Sequence, residues 1–217
     1  MKIVDKVAAE GGTALTRFKL DFSKIEVGRT LGEGSFGTVV QGTYKGLDVA
    51  IKLVRATKVD EGTVRAFMDE IRIMAPLQHP NLVGLHGGCW ESADQLCIVL
   101  EYCSRGALDG LIRMAKHAEQ MTWASPFRGL ATGIARCFVY LHHEQPDGVA
   151  LIHRDLKPAN VLIDDHGAAK VADFGESRRF DAAEARKTGD GSEAGNEAMS
   201  MTIVGRWRRW SRRVYRA

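Results

Sequence analysis

Two short polar motifs separated by a β-hairpin pattern place the strongest constraint on this chain. Residues 153–160 read His-Arg-Asp-Leu-Lys-Pro-Ala-Asn, and residues 173–175 read Asp-Phe-Gly. The residues between them, 161–172, form two short apolar runs around an Asp-Asp-His-Gly turn, and this pattern is typical of a β-hairpin. Such a hairpin would bring Asn160 and Asp173 to neighbouring strand ends.

Three side chains with acceptor oxygens can converge at the base of this hairpin. They are Asp155, Asn160 and Asp173, and Asp155 lies five residues before Asn160 in a loop that contains Pro158. Oxygen ligands of this kind suit magnesium, and a carboxylate can accept the proton of a hydroxyl group. The pattern therefore predicts a magnesium and proton-acceptor site. The alternative is an ordinary hairpin that carries a few surface acids.

A glycine-rich segment near the start of the chain has its own chemistry. Residues 32–37 read Gly-Glu-Gly-Ser-Phe-Gly and lie between alternating segments at 25–31 and 38–44. In dinucleotide-binding folds a Gly-x-Gly-x-x-Gly motif opens a helix, but the β-branched residues that follow here favour a strand. We therefore predict a hairpin whose glycines let backbone amides approach phosphate oxygens. The alternative is a flexible turn without a ligand.

One charged residue, Lys52, interrupts an apolar strand pattern at 48–54. Lysine is rarely fully buried without a partner. The segment 63–77 has apolar residues at helical spacing, with Glu70 beside the apolar stripe. Glu70 is the predicted partner of Lys52, because the competing acid, Asp69, points about 100° away on such a helix. A solvated helix acid is the alternative interpretation of Glu70.

Taken together, these motifs resemble the eukaryotic protein kinase family, and the branch they resemble is that of the tyrosine-kinase-like serine/threonine kinases. Residues 153–160 match the family's catalytic loop, residues 173–175 its metal-binding triplet, and residues 32–37 its glycine-rich loop. The resemblance covers residues 25–205. It implies a two-lobed α+β fold, with a five-stranded antiparallel sheet and one helix in the N-terminal lobe and an incomplete, mainly helical C-terminal lobe.

The same resemblance divides the chain into segments. The N-terminal lobe is expected to finish its sheet with strands at 82–85 and 95–100. The C-terminal lobe is expected to contain a helix at 108–116 and a longer one that begins at the capping pair Ser125-Pro126. The expected segments are a loosely held lead-in at 1–22, an N-terminal lobe at 23–100, a hinge at 101–105, a partial C-terminal lobe at 106–205 with an activation loop at 173–205, and a tail at 206–217.

For catalysis, the resemblance assigns a role to each of four residues. Asp155 would accept the proton of the substrate hydroxyl, and Lys157 would lie near the transferring phosphate. Lys52 would orient the α and β phosphates of ATP, with Glu70 as its ion-pair partner on a mobile helix.

The cofactor that the resemblance implies is ATP with Mg²⁺. Asn160 and Asp173 would hold the magnesium ion. The hinge backbone would form hydrogen bonds with the adenine edge. Apolar side chains would enclose the ring on both faces, with Leu100 beside the deeper pocket. The alternative is that these apolar residues are ordinary core residues. The implied ATP-binding residues are Leu31, Gly32, Glu33, Gly34, Ser35, Phe36 and Gly37 in the loop, Val39, Ala50 and Leu162 around the ring, Lys52 at the phosphates, and Glu101 and Cys103 in the hinge.

A switch in the activation segment is implied as well. Thr202 lies three residues before Gly205, where the family commonly carries an activating phosphate, and Ser200 is close by. Arg154 would pair with that phosphate, which adds about −1.5 to −2 charges at neutral pH. Thr202 could instead be an unmodified hydroxyl that satisfies backbone groups in a turn.

The implied function is transfer of the γ-phosphoryl group of ATP to serine or threonine hydroxyls of proteins. By the same resemblance, Lys157 favours serine/threonine over tyrosine specificity. The alternative is a truncated or pseudokinase module that binds ATP and regulates by docking, without efficient phosphotransfer. A protein substrate and ATP are the expected partners, no nucleic-acid partner is expected, and the sequence predicts no particular oligomeric state.

The basic charge of the chain belongs to its tail. Six arginines and no acid lie among the last twelve residues, so removing these six charges from the net charge of +3 leaves −3 for residues 1–205. Arginines interleaved with tryptophans can meet anionic lipid or nucleic acid. We interpret the tail instead as a truncated or frame-shifted end, because the family pattern stops there.

Cysteine content and hydropathy predict a cytoplasmic location. The four cysteines show no Cys-x-x-Cys spacing, and small secreted domains need a denser framework. The first twelve residues lack the apolar core of a signal peptide, and no stretch approaches eighteen apolar residues.

Overall fold

The computed structural model describes residues 13–33, 37–54, 59–115, 121–145 and 148–180. Its N-terminal lobe is built on a five-stranded sheet in the order β1-β2-β3-β5-β4, in which every neighbouring pair is antiparallel. This sheet and the helix packed on it confirm the predicted α+β fold. The strands are β1 Ile25–Glu33, β2 Gly37–Tyr44, β3 Leu47–Val54, β4 Leu85–Cys89 and β5 Cys97–Glu101.

The fourth strand begins later than predicted. The expected strand at 82–85 is wrong, because Leu82 and Val83 pair with the C-terminal lobe instead. The N–H of Val83 donates to the carbonyl of Val171 at 2.9 Å. The strand itself contains Gly87 and Gly88, which have low strand propensity, so the sequence pattern gave no local signal for it.

Helix α1, Glu61–Met74, is the helix of the N-terminal lobe. Asp60 caps it, since its carboxylate accepts a hydrogen bond from the N–H of Thr63 at 2.7 Å. The helix ends before the predicted boundary at 77, because Pro76 has no N–H with which to continue the helical hydrogen bonds. Its buried residues are Val64, Phe67, Met68, Glu70, Ile71 and Met74.

The C-terminal lobe contains helices α2, Leu108–Ala115, and α3, Phe127–His143. Ser125 does not cap α3 as predicted. Pro126 occupies the capping position without a side-chain hydrogen bond. The carbonyl of Ser125 instead accepts from the N–H of Thr122 at 2.8 Å, which commits Ser125 to the preceding turn.

The described part of the C-terminal lobe also contains two small antiparallel ladders. Strands β7, Val161–Ile163, and β8, Ala169–Val171, form the predicted hairpin. Strands β6, Ala150–Ile152, and β9, Arg178–Phe180, pair with each other. A buried cluster joins the two lobes beneath the hairpin and consists of Met74, Leu77, Leu82, Cys137, Leu141, Leu151, Val171 and Phe174.

The lead-in before the sheet is better ordered than expected. The prediction of a loosely held segment is wrong for Thr13–Phe18, which forms a 3-10 helix, and Leu15 is only 6% exposed. Residues 1–12 and the predicted tail at 206–217 lie outside the described residues.

All four cysteines are unpaired thiols. Burial raises the pKa of Cys103 and of Cys137 to about 12. Among the residues that the structure describes, no helix is both long and apolar enough to cross a membrane.

Candidate active site

Lys52 and Glu70 form a buried ion pair between β3 and α1. The Nζ atom of Lys52 lies 2.8 Å from each carboxylate oxygen of Glu70. The side chains are 17% and 8% exposed. The helical phase explains the choice of partner, because the neighbouring acid Asp69 pairs with Arg72 on the outer face of α1 at 2.6 Å.

Lys52 keeps its charge in this environment. Burial lowers the pKa of Lys52, but the carboxylates of Glu70 and Asp173 outweigh burial, so the pKa lies above its ordinary value. Burial raises the pKa of Glu70, and the nearby ammonium group only partly offsets that effect. The site therefore holds a charged ammonium group whose carboxylate partners fix its position.

Asp173 carries a carboxylate to the mouth of the same site. Its Oδ1 atom lies 3.5 Å from Nζ of Lys52, and its side chain is 46% exposed. The backbone φ of Asp173 is +66°, a left-handed conformation that aspartate tolerates better than most residues. Phe174 follows and is fully buried against His153, with ring centroids 5.0 Å apart. The buried ring anchors the chain, and Asp173 is turned outward.

Asp155 and Asn160 are in direct contact, as their spacing suggests. The amide nitrogen of Asn160 donates to the backbone oxygen and to Oδ2 of Asp155, both at 3.0 Å. The Nζ atom of Lys157 lies 2.5 Å from the same Oδ2. The carbonyl of Asn160 accepts from the N–H of Ala172 at 2.9 Å. The catalytic-loop motif is therefore tied to the residue that precedes Asp173.

His153 links the two motifs from below. Its Nδ1 accepts from the N–H of Asp155 at 3.3 Å, and its Nε2 lies 3.0 Å from the carbonyl of Ala172. This pattern requires a neutral ring with the proton on Nε2. Burial lowers the pKa of His153 and keeps the ring neutral. These hydrogen bonds of His153 are visible only in the folded chain.

The glycine-rich loop is described at its two ends. Leu31, Gly32 and Glu33 are exposed, and no atom lies within 4 Å of the position that a Cβ of Gly32 would occupy. A Cβ on Gly37 would fall on the carbonyl oxygen of Leu53, so Gly37 is needed for strand pairing. The loop residues Gly34, Ser35 and Phe36 lie outside the described residues.

The hinge begins at Glu101, whose backbone N–H already forms a hydrogen bond within the protein. The N–H of Glu101 donates to the carbonyl of Gly84 at 2.9 Å, so only the carbonyl of Glu101 is suited to read an adenine edge. The Glu101 carboxylate accepts from the N–H of Gly84 at 3.0 Å and lies 2.7 Å from Nζ of Lys170. Sequence reasoning missed Lys170, which follows the turn of the hairpin and carries no motif.

The residues expected around the adenine ring lie on both sides of the hinge. Ala50 pairs with Leu100 across β3 and β5. Cys103 is buried, and Leu162 packs against the small cluster that contains it. Val39, which is half-buried, pairs with Lys52 in the ladder between β2 and β3. These positions place apolar side chains from both lobes next to the hinge.

The oxygen donors fit a magnesium ion that is shared with a nucleotide. No group of three or more metal-ligating His, Cys, Asp or Glu side chains occurs in the described parts of the chain. Mg²⁺ usually takes one or two carboxylates and completes its shell with phosphates and water. Asp173 offers an exposed carboxylate. The amide nitrogen of Asn160 is engaged with Asp155, so its side-chain oxygen is the atom suited to a cation.

Arg154 is exposed beside Asp155, with a left-handed φ of +68°. Such a conformation is uncommon for arginine and costs about 1–3 kcal/mol. Its expected regulatory partners, Ser200 and Thr202, lie outside the described residues.

Comparison with known proteins agrees with this geometry. Residues 25–194 match the family model described as the protein kinase domain. The chain is 37% identical over 158 residues to the probable serine/threonine-protein kinase drkB of Dictyostelium discoideum, an alignment that covers 73% of the chain and 22% of drkB. It is 35% identical over 158 residues to the probable serine/threonine-protein kinase drkA of the same organism, covering 73% of the chain and 24% of drkA.

A plant relative shows the same partial coverage. The L-type lectin-domain containing receptor kinase V.5 of Arabidopsis thaliana is 37% identical over 151 residues, covering 70% of the chain and 22% of the relative. The chain thus spans less than a quarter of the length of each of these three relatives.

Proposed function

The chain belongs to the protein kinase family, and on that premise we propose that it transfers the γ-phosphoryl group of ATP to serine or threonine hydroxyls of a protein substrate. The observation that carries the proposal is the buried pair of Lys52 with Glu70, with Asp173 3.5 Å from the same ammonium group. Phosphoryl transfer depends mainly on positioning and charge neutralisation, and this pair provides a positioned cation at the mouth of the cleft.

The residues of the chain act in three places. Lys52, held by Glu70, orients the phosphates of the nucleotide. Asp173 and Asn160 would hold Mg²⁺, which would neutralise charge on the phosphates when bound. Asp155 accepts the proton of the attacking hydroxyl on its carboxylate. Each of these roles agrees with the family's mechanism.

Lys157 completes the proposed proton-transfer site. Its ammonium group lies 2.5 Å from Oδ2 of Asp155 and so helps to position the carboxylate that would accept the proton. The same ammonium group is half-exposed and could donate to the phosphoryl oxygens during transfer. Serine or threonine as the acceptor is supported by the names of the Dictyostelium relatives, which are probable serine/threonine-protein kinases.

The hinge would hold the adenine ring. We propose that the carbonyl of Glu101 accepts from the adenine amino group and that the N–H of Cys103 donates to the ring. The carbonyl of Cys103 already accepts from Gly106 at 3.2 Å, so the N–H is the group that faces a ligand in this proposal. Val39, Ala50 and Leu162 would enclose the ring.

The decisive experiment separates binding from phosphotransfer. A Mg-ATP concentration one hundred times its Kd should stabilise the chain by about 2.7 kcal/mol, which raises the Tm by about 5–10 °C. Lys52→Met should abolish this shift. Asp155→Asn should keep the shift but lower the transfer of labelled phosphate to a generic protein substrate by about 10²-fold or more.

Three outcomes are informative. An unchanged Tm with Mg-ATP, or an equal shift in Lys52→Met, contradicts the proposal. A shift in Tm without any transfer of label identifies the alternative, an ATP-binding regulatory module. Transfer that is insensitive to Asp155→Asn contradicts the role of that carboxylate.

We also propose regulation through the activation segment. Phosphorylation of Thr202 or Ser200 would supply a dianion for Arg154, whose exposed guanidinium group stands beside Asp155. Mass spectrometry after incubation with Mg-ATP should find phosphate at one of these positions, and Arg154→Ala should remove its effect on activity. An active preparation without phosphate at either site refutes this mechanism.

We propose that the chain acts in the cytoplasm. ATP is the proposed co-substrate, and all four cysteines are unpaired thiols, which persist in reducing compartments. Fractionation of cells that express the tagged chain should recover it with cytoplasmic markers.

A further inference from the structure

A short segment that precedes the family match packs on the N-terminal lobe. The match begins at residue 25, and we call residues 13–20 the flank. The N–H of Leu20 donates to the carbonyl of Gly88 at 2.9 Å, and Lys19 forms a parallel bridge with Gly88. Lys19 also lies 3.3 Å from Glu91. The flank therefore adds a short edge to β4, outside the sheet that defines the family.

Two adjacent glycines in β4 allow other segments to pack closely against both faces of the strand. A Cβ on Gly87 would lie 2.7 Å from Cγ of Leu20 and would overlap the carbonyl oxygen of Phe18. A Cβ on Gly88 would lie 2.8 Å from Cδ1 of Ile71 in α1. Contacts this short require a side chain or the backbone to move. The strand is thus closely packed by the flank on one side and by α1 on the other.

The flank and α1 also share one hydrophobic cluster. Leu15 from the flank is 6% exposed in this cluster. The rings of Phe67 and Trp90 meet edge to face there, with centroids 6.5 Å apart. Phe18 packs against the same cluster. The buried members are Leu15, Val64, Phe67, Met68, Ile71, Trp90, Leu96 and Ile98, of which Val64, Phe67, Met68 and Ile71 belong to α1.

We propose that the flank is a positioning element that holds α1 where Glu70 reaches Lys52. Glu70 lies directly before Ile71, so a movement of the apolar face of α1 moves the carboxylate as well. The cluster fixes that face from the side of β4, and Leu15 closes the cluster against solvent. The flank thereby acts through Glu70 on the phosphate-orienting lysine, and this consequence for catalysis rests on the proposed function.

The first test measures α1 directly and needs no activity. Hydrogen exchange of the amides in 61–74 should accelerate about tenfold or more in Leu15→Ala, because the substitution leaves a cavity beside the helix. Exchange in α3, which lies in the other lobe, should not change. The matched control is Thr16→Ala, an exposed neighbour on the flank, which should behave like the wild type in both helices.

The second test asks whether the effect passes through Glu70. In the full chain, Leu15→Ala should lower kcat several-fold, with a smaller change in the KM for a protein substrate. In a Glu70→Gln background the same substitution should produce no further loss, because the element that it positions is already disabled. A general loss of stability would instead lower activity equally in both backgrounds.

The possible results separate this inference from the proposed function. Equal exchange of α1 in wild type and Leu15→Ala, or faster exchange throughout the chain, overturns the positioning role. A wild-type chain that transfers no phosphate contradicts the proposed function, and the exchange result still decides whether the flank holds α1. If Leu15→Ala does not fold, Leu15→Val removes a smaller volume, and the same local acceleration is expected.

Discussion

Replacing Glu70 with glutamine tests the ion pair at the centre of the site. The substitution keeps the shape of the side chain and removes its charge, while the carboxylate of Asp173 still lies 3.5 Å from the ammonium group of Lys52. Breaking a fully buried pair by removing one partner costs about 3–5 kcal/mol. Because Asp173 remains and the glutamine oxygen can still accept a hydrogen bond, we expect a loss of about 2 kcal/mol in the free energy of unfolding.

The neighbouring acid provides a matched control. Asp69 pairs with Arg72 on the same helix at 2.6 Å, but the two side chains are 58% and 34% exposed. Solvent screens such a pair, so Asp69→Asn should cost less than about 0.5 kcal/mol. The two substitutions make the same chemical change on adjacent residues, and only the buried one should matter.

Urea denaturation at neutral pH, extrapolated linearly to water, measures both losses. The loss of about 2 kcal/mol in Glu70→Gln corresponds to a fall in Tm of about 4–8 °C for a chain of this size. A double-mutant cycle with Lys52→Met should give a coupling energy above about 1 kcal/mol. If Glu70→Gln and Asp69→Asn lie within about 0.5 kcal/mol of each other, the ion pair does not have the energetic role inferred from its burial.

Three further predictions concern the hinge, the neutral histidine and the metal site. Lys170→Met should weaken Mg-ATP binding about three- to tenfold in a titration, because it releases the Glu101 carboxylate behind the hinge, and Lys170→Arg should restore most of the affinity. Burial lowers the pKa of His153, so below about pH 6.5 the unfolded state binds more protons. The free energy of unfolding should therefore fall as the pH drops from about 7 to about 5.5, with a shallower slope in His153→Gln. Asp173→Asn should lose the rise in Tm caused by Mg-ATP while the ligand-free Tm changes little, since asparagine tolerates the same left-handed backbone; a retained shift would contradict the metal role.

The sequence determined the parts of the site that are local in the chain. The hairpin between Asn160 and Asp173 follows from a turn and two short apolar runs, all within a few residues. The choice of Glu70 over Asp69 follows from helical phase alone, and the contact between Asp155 and Asn160 follows from their spacing. In each case the spacing that matters is short enough for one element to fix the geometry.

Tertiary structure alone decided the contacts between segments far apart in the sequence. Glu101 and Lys170 meet behind the hinge, although nothing near either residue marks the other as its partner. The flank packs on β4 because Gly87 leaves room for it, although glycine has a low strand propensity. Backbone periodicity reports how one element presents its own side chains. Which elements then come into contact depends on packing and hydrogen-bond satisfaction across the whole lobe.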